Sequence, residues 1–124
     1  MRSILFIALG GALGSLCRYW VSGLAHRIFG ASFPFGTVAV NLLGCLFFGA
    51  IWGLFENRVQ IAPETRLLVL TGFLGAFTTF STYMFESAGL IRGGQYVLAL
   101  VNMAGQTLAG LALVLTGLAL GRLL

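Results

Sequence analysis

A stretch rich in hydroxyl groups lies inside one of the most apolar regions of the sequence. Residues 71–86 read TGFLGAFTTFSTYMFE and combine two glycines, four phenylalanines and five serine or threonine hydroxyls. Glycine is a poor helix former, and adjacent threonines compete for backbone hydrogen bonds. Because an unpaired backbone group is costly in hydrocarbon, irregular backbone persists there only where it binds something or lines a wet cavity. We therefore predict a break near residues 75–79 that binds an ion, with an uninterrupted helix packed through its small residues as the alternative.

Aromatic and polar side chains follow at helical spacing. Phe80 and Tyr83 are three residues apart and share one face of a helix. A polar stripe with a spacing of four residues lies beside them, and it consists of Thr78, Thr82 and Glu86. Ser81 lies between the two faces. A carboxylate about one turn from the end of a membrane helix is unusual enough to be a functional hypothesis by itself.

Asn41 is the most informative polar residue of the second apolar segment. It shares one helix face with Thr37, Gly44 and Phe48. Its amide offers two N–H donors and one acceptor oxygen, and inside a membrane these groups must find partners. The partner is either a permeating ligand or another helix, and an interhelical hydrogen bond is the simpler alternative.

The composition places the chain among membrane proteins. It has 124 residues, of which 59% are hydrophobic and only 8% are charged, and its mean hydropathy is +1.01. The length suits a single domain. Seven arginines and three glutamates give a net charge of +4. Because these arginines are spread over loops and helix ends, no basic stripe supports the binding of nucleic acid.

Four apolar segments, at about residues 3–24, 33–55, 66–90 and 96–120, are each long enough to cross a bilayer, which takes roughly 20 residues. Short connections make neighbouring helices antiparallel. The sequence therefore predicts an all-α membrane protein with one four-helix transmembrane domain over residues 1–124. Polar residues also mark the fourth segment, at Asn102, Gln106 and Thr107. So short a chain cannot provide hydrogen-bond partners for the polar faces of three helices by itself, and we expect at least a dimer.

The arginines give a weak orientation signal. Four of them belong to one side of the membrane: Arg2, Arg58, Arg66 and Arg122. Arg27 and Arg92 belong to the other side, and Arg18 is nearer to that side as well. Positive residues favour the cytoplasmic side, and the two sides differ only slightly in their number of arginines. This fits two oppositely oriented copies that pair as inverted repeats do, and it fits a single orientation equally well. Arg18 itself either snorkels to the interface or raises the local anion concentration at a pore mouth.

Three stretches resemble the Fluc (CrcB) fluoride-channel family, and the resemblance covers essentially the whole chain. They are the early glycines followed by Arg18 and Tyr19, FGTVAVNLLG at residues 35–44, and GFLGAFTTFST at residues 72–82. The resemblance implies an antiparallel, dual-topology homodimer of four-helix subunits in a bacterial inner membrane, with two fluoride pores. It also implies a central sodium ion, structural and not transported, where the two broken third helices cross.

The same resemblance implies roles for individual residues. The sodium ligands would be the backbone carbonyls of Gly75 and Thr78 from both subunits. Phe80 matches a pore phenylalanine, whereas Tyr83 replaces the second phenylalanine of the family and changes the chemistry of the ring edge. Asn41 matches a pore asparagine that donates to fluoride. The remaining polar residues of the pathway would be Thr37, Ser81, Thr82 and Glu86, with Arg18 in the vestibule.

Three functions are compatible with these features. The first is a passive fluoride channel that lets the anion leave the cytoplasm and so lowers fluoride toxicity. The second is a small multidrug-type exporter coupled to protons, which needs an acidic residue deep in the membrane, and the first two segments have none in their interiors. The third is a non-conducting subunit of a membrane assembly, which explains the glycines but not the hydroxyls. An enzymatic activity is not expected.

Overall fold

The computed structural model describes residues 1–56 and 61–124 and contains four spans that are long and apolar enough to cross a membrane. Its helices are α1 (Arg2–Phe29), α2 (Phe35–Glu56), α3 (residues 63–77), α4 (Phe80–Arg92) and α5 (Tyr96–Leu123). The described residues include no β-strand. The predicted all-α architecture with four crossings is thereby confirmed. Arg58, which entered the orientation argument, lies outside the described residues.

Helix α1 extends beyond the end that the sequence predicts at Leu24. It continues to Phe29 and stops at Gly30, whose backbone has a φ of 81°. Glycine adopts a positive φ without steric cost, and the Gly30 N–H donates to the carbonyl of His26 at 2.9 Å. The helix is longer than expected because no residue before Gly30 interrupts it.

The third span, Pro63–Arg92, changes its backbone conformation along its length. Helix α3 is π-helical over Leu67–Leu74, and its last helical turn is Gly75–Phe77. Thr78 and Thr79 are then extended, with φ and ψ of −86° and 161°, and of −150° and 117°. Helix α4 begins at the next residue. Two consecutive residues in an apolar span therefore lack helical geometry and need other hydrogen-bond partners.

Helices α2 and α5 pack closely because glycines line both contact surfaces. A Cβ atom built on Gly49 would collide with the carbonyl oxygen of Val114, and one built on Gly117 would collide with that of Leu46. Small residues let membrane helices approach until their backbones touch, which maximises van der Waals contact. The close approach also brings the polar residues of α5 within reach of α2.

Helix α1 packs against α3 in the same way. A Cβ on Gly10 would collide with the carbonyl oxygen of Leu68, and one on Gly14 with that of Phe73. The four-residue spacing of Gly10 and Gly14 is typical of such a contact surface between membrane helices. A buried cluster of Phe55, Leu70 and Leu74 packs α3 against α2.

We expect Gly117→Ala to destabilise the protein by about 1–3 kcal/mol, because the added methyl group has no room between α5 and α2. The measurement is the free energy of unfolding of the purified protein in detergent. Gly105→Ala on the same helix is the matched control, since a Cβ there meets no atom within 4 Å. That variant should be neutral or slightly more stable, because alanine favours the helix. Equal effects of the two substitutions would contradict the proposed contact.

Candidate functional site

The side chain of Asn41 pairs with the peptide groups of Thr79. The Thr79 N–H donates to Asn41 Oδ1 at 2.9 Å, and Asn41 Nδ2 donates to the Thr79 carbonyl at 3.1 Å. Helix α2 positions Asn41 directly beside the extended residues of the third span. One carboxamide thus gives both peptide groups of Thr79 a hydrogen-bond partner, which removes much of the cost of the irregular backbone.

Threonine hydroxyls form hydrogen bonds with backbone groups at the two neighbouring helix ends. Thr78 Oγ1 donates to the carbonyl of Leu74 at 3.1 Å, at the end of α3. Thr79 is the N-cap of α4, and its hydroxyl accepts from the Thr82 N–H at 3.3 Å. Threonine is suited to both tasks because its short hydroxyl reaches nearby backbone groups. Thr78 therefore lies in the extended segment and Thr82 in α4, so the stripe that the sequence predicts from their spacing does not form on one helix.

The carbonyls of Gly75 and Thr78 are among those at the interruption that lose their usual donors. In a continuous α-helix the Thr79 N–H would donate to Gly75, and the Thr82 N–H would donate to Thr78. Here the first donates to Asn41 and the second to the Thr79 hydroxyl. Within the described part of the chain, no backbone amide outside regular helix bonding replaces them at Gly75 or Thr78. These two carbonyl oxygens are therefore among those available as acceptors or as ligands for a cation.

A cavity of about 390 Å³ opens beside the interruption. Its lining is mostly apolar, with a few polar groups of neutral type, as is common for sites that bind small ligands. The residues from the predicted site that line it are Asn41, Thr78, Phe80 and Tyr83. Gln106 and Thr107 of α5 complete its polar surface. The structure therefore brings the predicted amide donor and the predicted aromatic pair to one cavity.

The two aromatic rings of this cavity differ in environment. Phe80 is 73% exposed, whereas Tyr83 is only 7% exposed, and their ring centroids are 5.7 Å apart at an interplanar angle of 59°. The Tyr83 hydroxyl donates to the carbonyl of Met103 at 2.8 Å, on helix α5. The phenol group is thus engaged with the protein. Tyr83 therefore lines the cavity chiefly with its ring, as a phenylalanine would do at this position.

Four other predicted residues lie in two other places. Thr37 is buried, and its hydroxyl donates to Glu86 Oε1 at 2.8 Å. Glu86 Oε2 is buried and has no hydrogen-bond partner among the described residues. Glu86 lines a second cavity of about 490 Å³ together with His26. A third cavity, of about 480 Å³, has His26 in its wall as well and contains Arg18 and Thr82.

Ser81 and Gly75 line none of these cavities and are exposed on the single chain. The predicted residues other than these two thus form three groups. The first surrounds the interruption, the second is the Thr37–Glu86 pair, and the third is the Arg18–Thr82 cavity. His26 connects the second and third groups, and no sequence pattern indicated it.

A chain of neutral polar side chains extends from Asn41 into helix α5. Asn41 Nδ2 donates to Gln106 Oε1 at 2.9 Å, and Gln106 Nε2 donates to Asn102 Oδ1 at 2.8 Å. Asn102 in turn donates to the Ser87 hydroxyl at 2.9 Å. The four-residue spacing of Asn102 and Gln106 indicated a polar face, but the sequence did not show that this face contacts Asn41 or Ser87.

These features define the class of protein: a small helical membrane protein in which side-chain amides stabilise an irregular segment beside a cavity. Residues 5–118 match the family model described as "CrcB-like protein, Camphor Resistance (CrcB)". The chain belongs to the CrcB family.

Curated relatives match along almost their entire length, and three of them illustrate the range of similarity. A protein of Maridesulfovibrio salexigens is 60% identical over 100% of this chain and 98% of its own. One from Nitratidesulfovibrio vulgaris (strain DSM 19637 / Miyazaki F) is 53% identical over 99% of both chains. One from Nitrosococcus oceani is 47% identical over 99% of this chain and 98% of its own. Each of the three is named "Fluoride-specific ion channel FluC".

We expect Tyr83→Phe to lower the free energy of unfolding by about 0.5–1.5 kcal/mol, because it removes the hydroxyl that contacts the Met103 carbonyl and the Thr107 hydroxyl. The ring stays in the wall of the cavity, so the transport activity of the protein should change little. Chemical unfolding in detergent measures the first effect. Tyr96→Phe, at a position that is 67% exposed, is the matched control and should have no effect on stability. A large loss of activity with unchanged stability would show that the hydroxyl acts on the permeating species.

Proposed function

We propose that this protein is a fluoride-selective ion channel through which fluoride leaves the cytoplasm passively. The proposal rests chiefly on the 60% identity, over the whole chain, with a relative that is named a fluoride-specific ion channel. The cavity beside the interruption is chemically suited to that task, because it combines aromatic rings with a carboxamide in an apolar wall. A channel of this kind performs no covalent chemistry, and the relatives are named as ion channels, not enzymes.

Aromatic ring edges and the Asn41 amide would replace the water around the anion. The edge of an aromatic ring carries partial positive charge, and the N–H groups of a carboxamide donate hydrogen bonds. Such groups attract an anion without a formal positive charge. Conduction requires binding that is favourable enough for entry and weak enough for release. Phe80, Tyr83 and Asn41 are the residues that we assign to this step.

Charged and hydroxyl groups away from the interruption would form the ends of the pathway. Arg18 lies in a cavity with Thr82, where its charge would raise the local concentration of anions. The Thr37–Glu86 pair would contribute polar atoms at another point along the pathway. Ser81 is exposed on the single chain, so we assign it to a surface that a second copy would cover.

The complete channel, in this proposal, is an antiparallel homodimer with two pores. The exposed side of α4 supports this arrangement, since it presents Phe80, Ser81 and Thr82, which include polar groups that lipid cannot satisfy. The nearly balanced arginines fit insertion in both orientations. The four spans support a multi-pass membrane location, and we assign the chain to the inner membrane of a bacterium.

The carbonyls of Gly75 and Thr78, together with those of the second copy, would bind a structural sodium ion. Hard cations prefer oxygen ligands, and both oxygens lack their usual amide donors. The described residues include no group of three or more His, Cys, Asp or Glu side chains that could bind a metal. A bound cation would neutralise the carbonyl dipoles at the centre of the dimer. It would serve the structure and would not be transported.

A proton-coupled exporter receives less support. Such a protein needs an acid that exchanges a proton for its substrate, and the cavity beside the interruption has no Asp or Glu in its lining. Glu86 is bonded to Thr37 in another cavity, and Glu56 pairs with Arg122 at 2.8 Å at the end of α2. A non-conducting assembly subunit would not require the amide and aromatic groups that converge on the cavity.

Lipid vesicles that contain the purified protein should release fluoride far faster than empty vesicles, and chloride at close to the rate of empty vesicles. Asn41→Asp should slow fluoride release about ten- to hundredfold, because a carboxylate repels the anion and donates no hydrogen bond to it. Thr116→Val is the control, since the Thr116 hydroxyl bonds only its own helix, at Ala112. Fluoride release no faster than from empty vesicles would refute the channel.

Sodium should raise the thermal stability of the detergent-solubilised protein in a saturable manner. At a concentration about one hundredfold above its dissociation constant, a ligand of the native state adds about 2.7 kcal/mol of stability. Potassium at the same ionic strength is the control, because a site matched to sodium should bind the larger ion poorly. Identical unfolding temperatures in the two salts would contradict the proposed metal site while leaving the channel function open.

A further inference from the structure

The hydrogen bonds that lead away from Asn41 all run in one direction. Asn41 donates to Gln106, Gln106 donates to Asn102, and Asn102 donates to Ser87. The Ser87 hydroxyl then donates to the backbone carbonyl of Tyr83 at 2.8 Å. Asn102, Ser87 and Gln106 are only 1%, 2% and 9% exposed, so water does not offer them alternative partners.

This direction fixes the orientation of the Gln106 carboxamide. If its oxygen and nitrogen exchanged places, Nε2 would face the Asn41 donor and Oε1 would face the Asn102 oxygen. Both contacts would then be repulsive in a buried environment, where unsatisfied polar groups are most costly. Asn102 and Ser87 therefore act as positioning residues that keep Gln106 Oε1 directed at Asn41.

Asn41 has no free donor in this arrangement. Its Nδ2 carries two hydrogens, of which one is bonded to the Thr79 carbonyl and the other to Gln106 Oε1. The bond to Thr79 is one half of a two-bond pair, because the Thr79 N–H also donates to Asn41 Oδ1. The bond to Gln106 is single, and both residues line the cavity beside the interruption. An anion in that cavity would exchange most easily with Gln106.

We propose that Gln106 Oε1 competes with the permeating anion for one N–H group of Asn41, so that residue 106 sets how tightly the channel binds fluoride. The inference rests on the proposed channel function and specifies how its cavity is tuned. An anion is a stronger acceptor than a neutral carbonyl, so it can displace Gln106. Because fluoride has to break the Asn41–Gln106 hydrogen bond, the energy of that bond is subtracted from the binding energy of fluoride. The resulting weak binding of fluoride is what rapid conduction requires.

The test measures fluoride binding at Asn41 directly. The full-length protein in detergent is labelled with ¹⁵N-asparagine, and the Asn41 side-chain signal is assigned by its loss in Asn41→Asp. Titration with sodium fluoride should shift one of the two Asn41 amide protons, and sodium chloride should not. Gln106→Met has a similar shape without an acceptor oxygen. In that variant we expect the same proton to reach half-saturation at a roughly two- to tenfold lower fluoride concentration.

Gln106→Met leaves the buried Asn102 oxygen without its donor, which could perturb the structure. A second variant separates that structural effect from the expected change in fluoride affinity. The double variant Gln106→Met, Asn102→Leu removes both groups and should show the same gain in affinity, and Thr116→Val should titrate as the unmodified protein does. The inference is overturned if no Asn41 proton responds to fluoride, or if both variants titrate at unchanged or higher fluoride. Because the readout is binding, absence of fluoride flux in vesicles would count against the channel function separately.

Discussion

The pairing of Asn41 with the peptide groups of Thr79 is the interaction on which the site depends. Extended residues inside a membrane span leave backbone groups without partners, and hydrocarbon offers none. Asn41 supplies a donor and an acceptor in a single rigid carboxamide, at 3.1 and 2.9 Å. Helix α4 can therefore begin at Phe80. The start of α4 in turn determines where Phe80 and Tyr83 lie relative to the cavity.

Close packing of α2 and α5 is the condition for the rest of the polar network. Gly49 and Gly117 let the two backbones touch, so that Gln106 reaches Asn41 across the helix interface. A bulkier residue at either glycine would separate the helices and lengthen that hydrogen bond. Apolar packing and polar recognition are thus coupled here, and the glycines contribute to the site although they lie outside it.

The sequence predicts those parts of the protein that depend on local composition. Hydrophobic length gives the four spans, and the spacing of Gly10 and Gly14 gives a helix contact. The partners of polar groups depend on tertiary structure and could not be predicted in this way. Spacing alone assigned Thr78 and Thr82 to one stripe, whereas the extended backbone places them on either side of a helix start. Likewise, no local pattern shows that the Tyr83 hydroxyl bonds to α5.

The chemistry of the cavity suits the proposed conduction of an anion better than an exchange of that anion for protons. Its polar lining comprises amides, hydroxyls and a phenol, all neutral groups whose dipoles respond to an ion without gaining or losing a proton. Charge is found in other cavities, at Arg18 and at Glu86. A fixed charge beside the interruption would bind an anion too tightly or repel it. In the proposed channel, neutral donors that are already hydrogen-bonded to the protein would provide an intermediate strength of binding, which passive conduction needs.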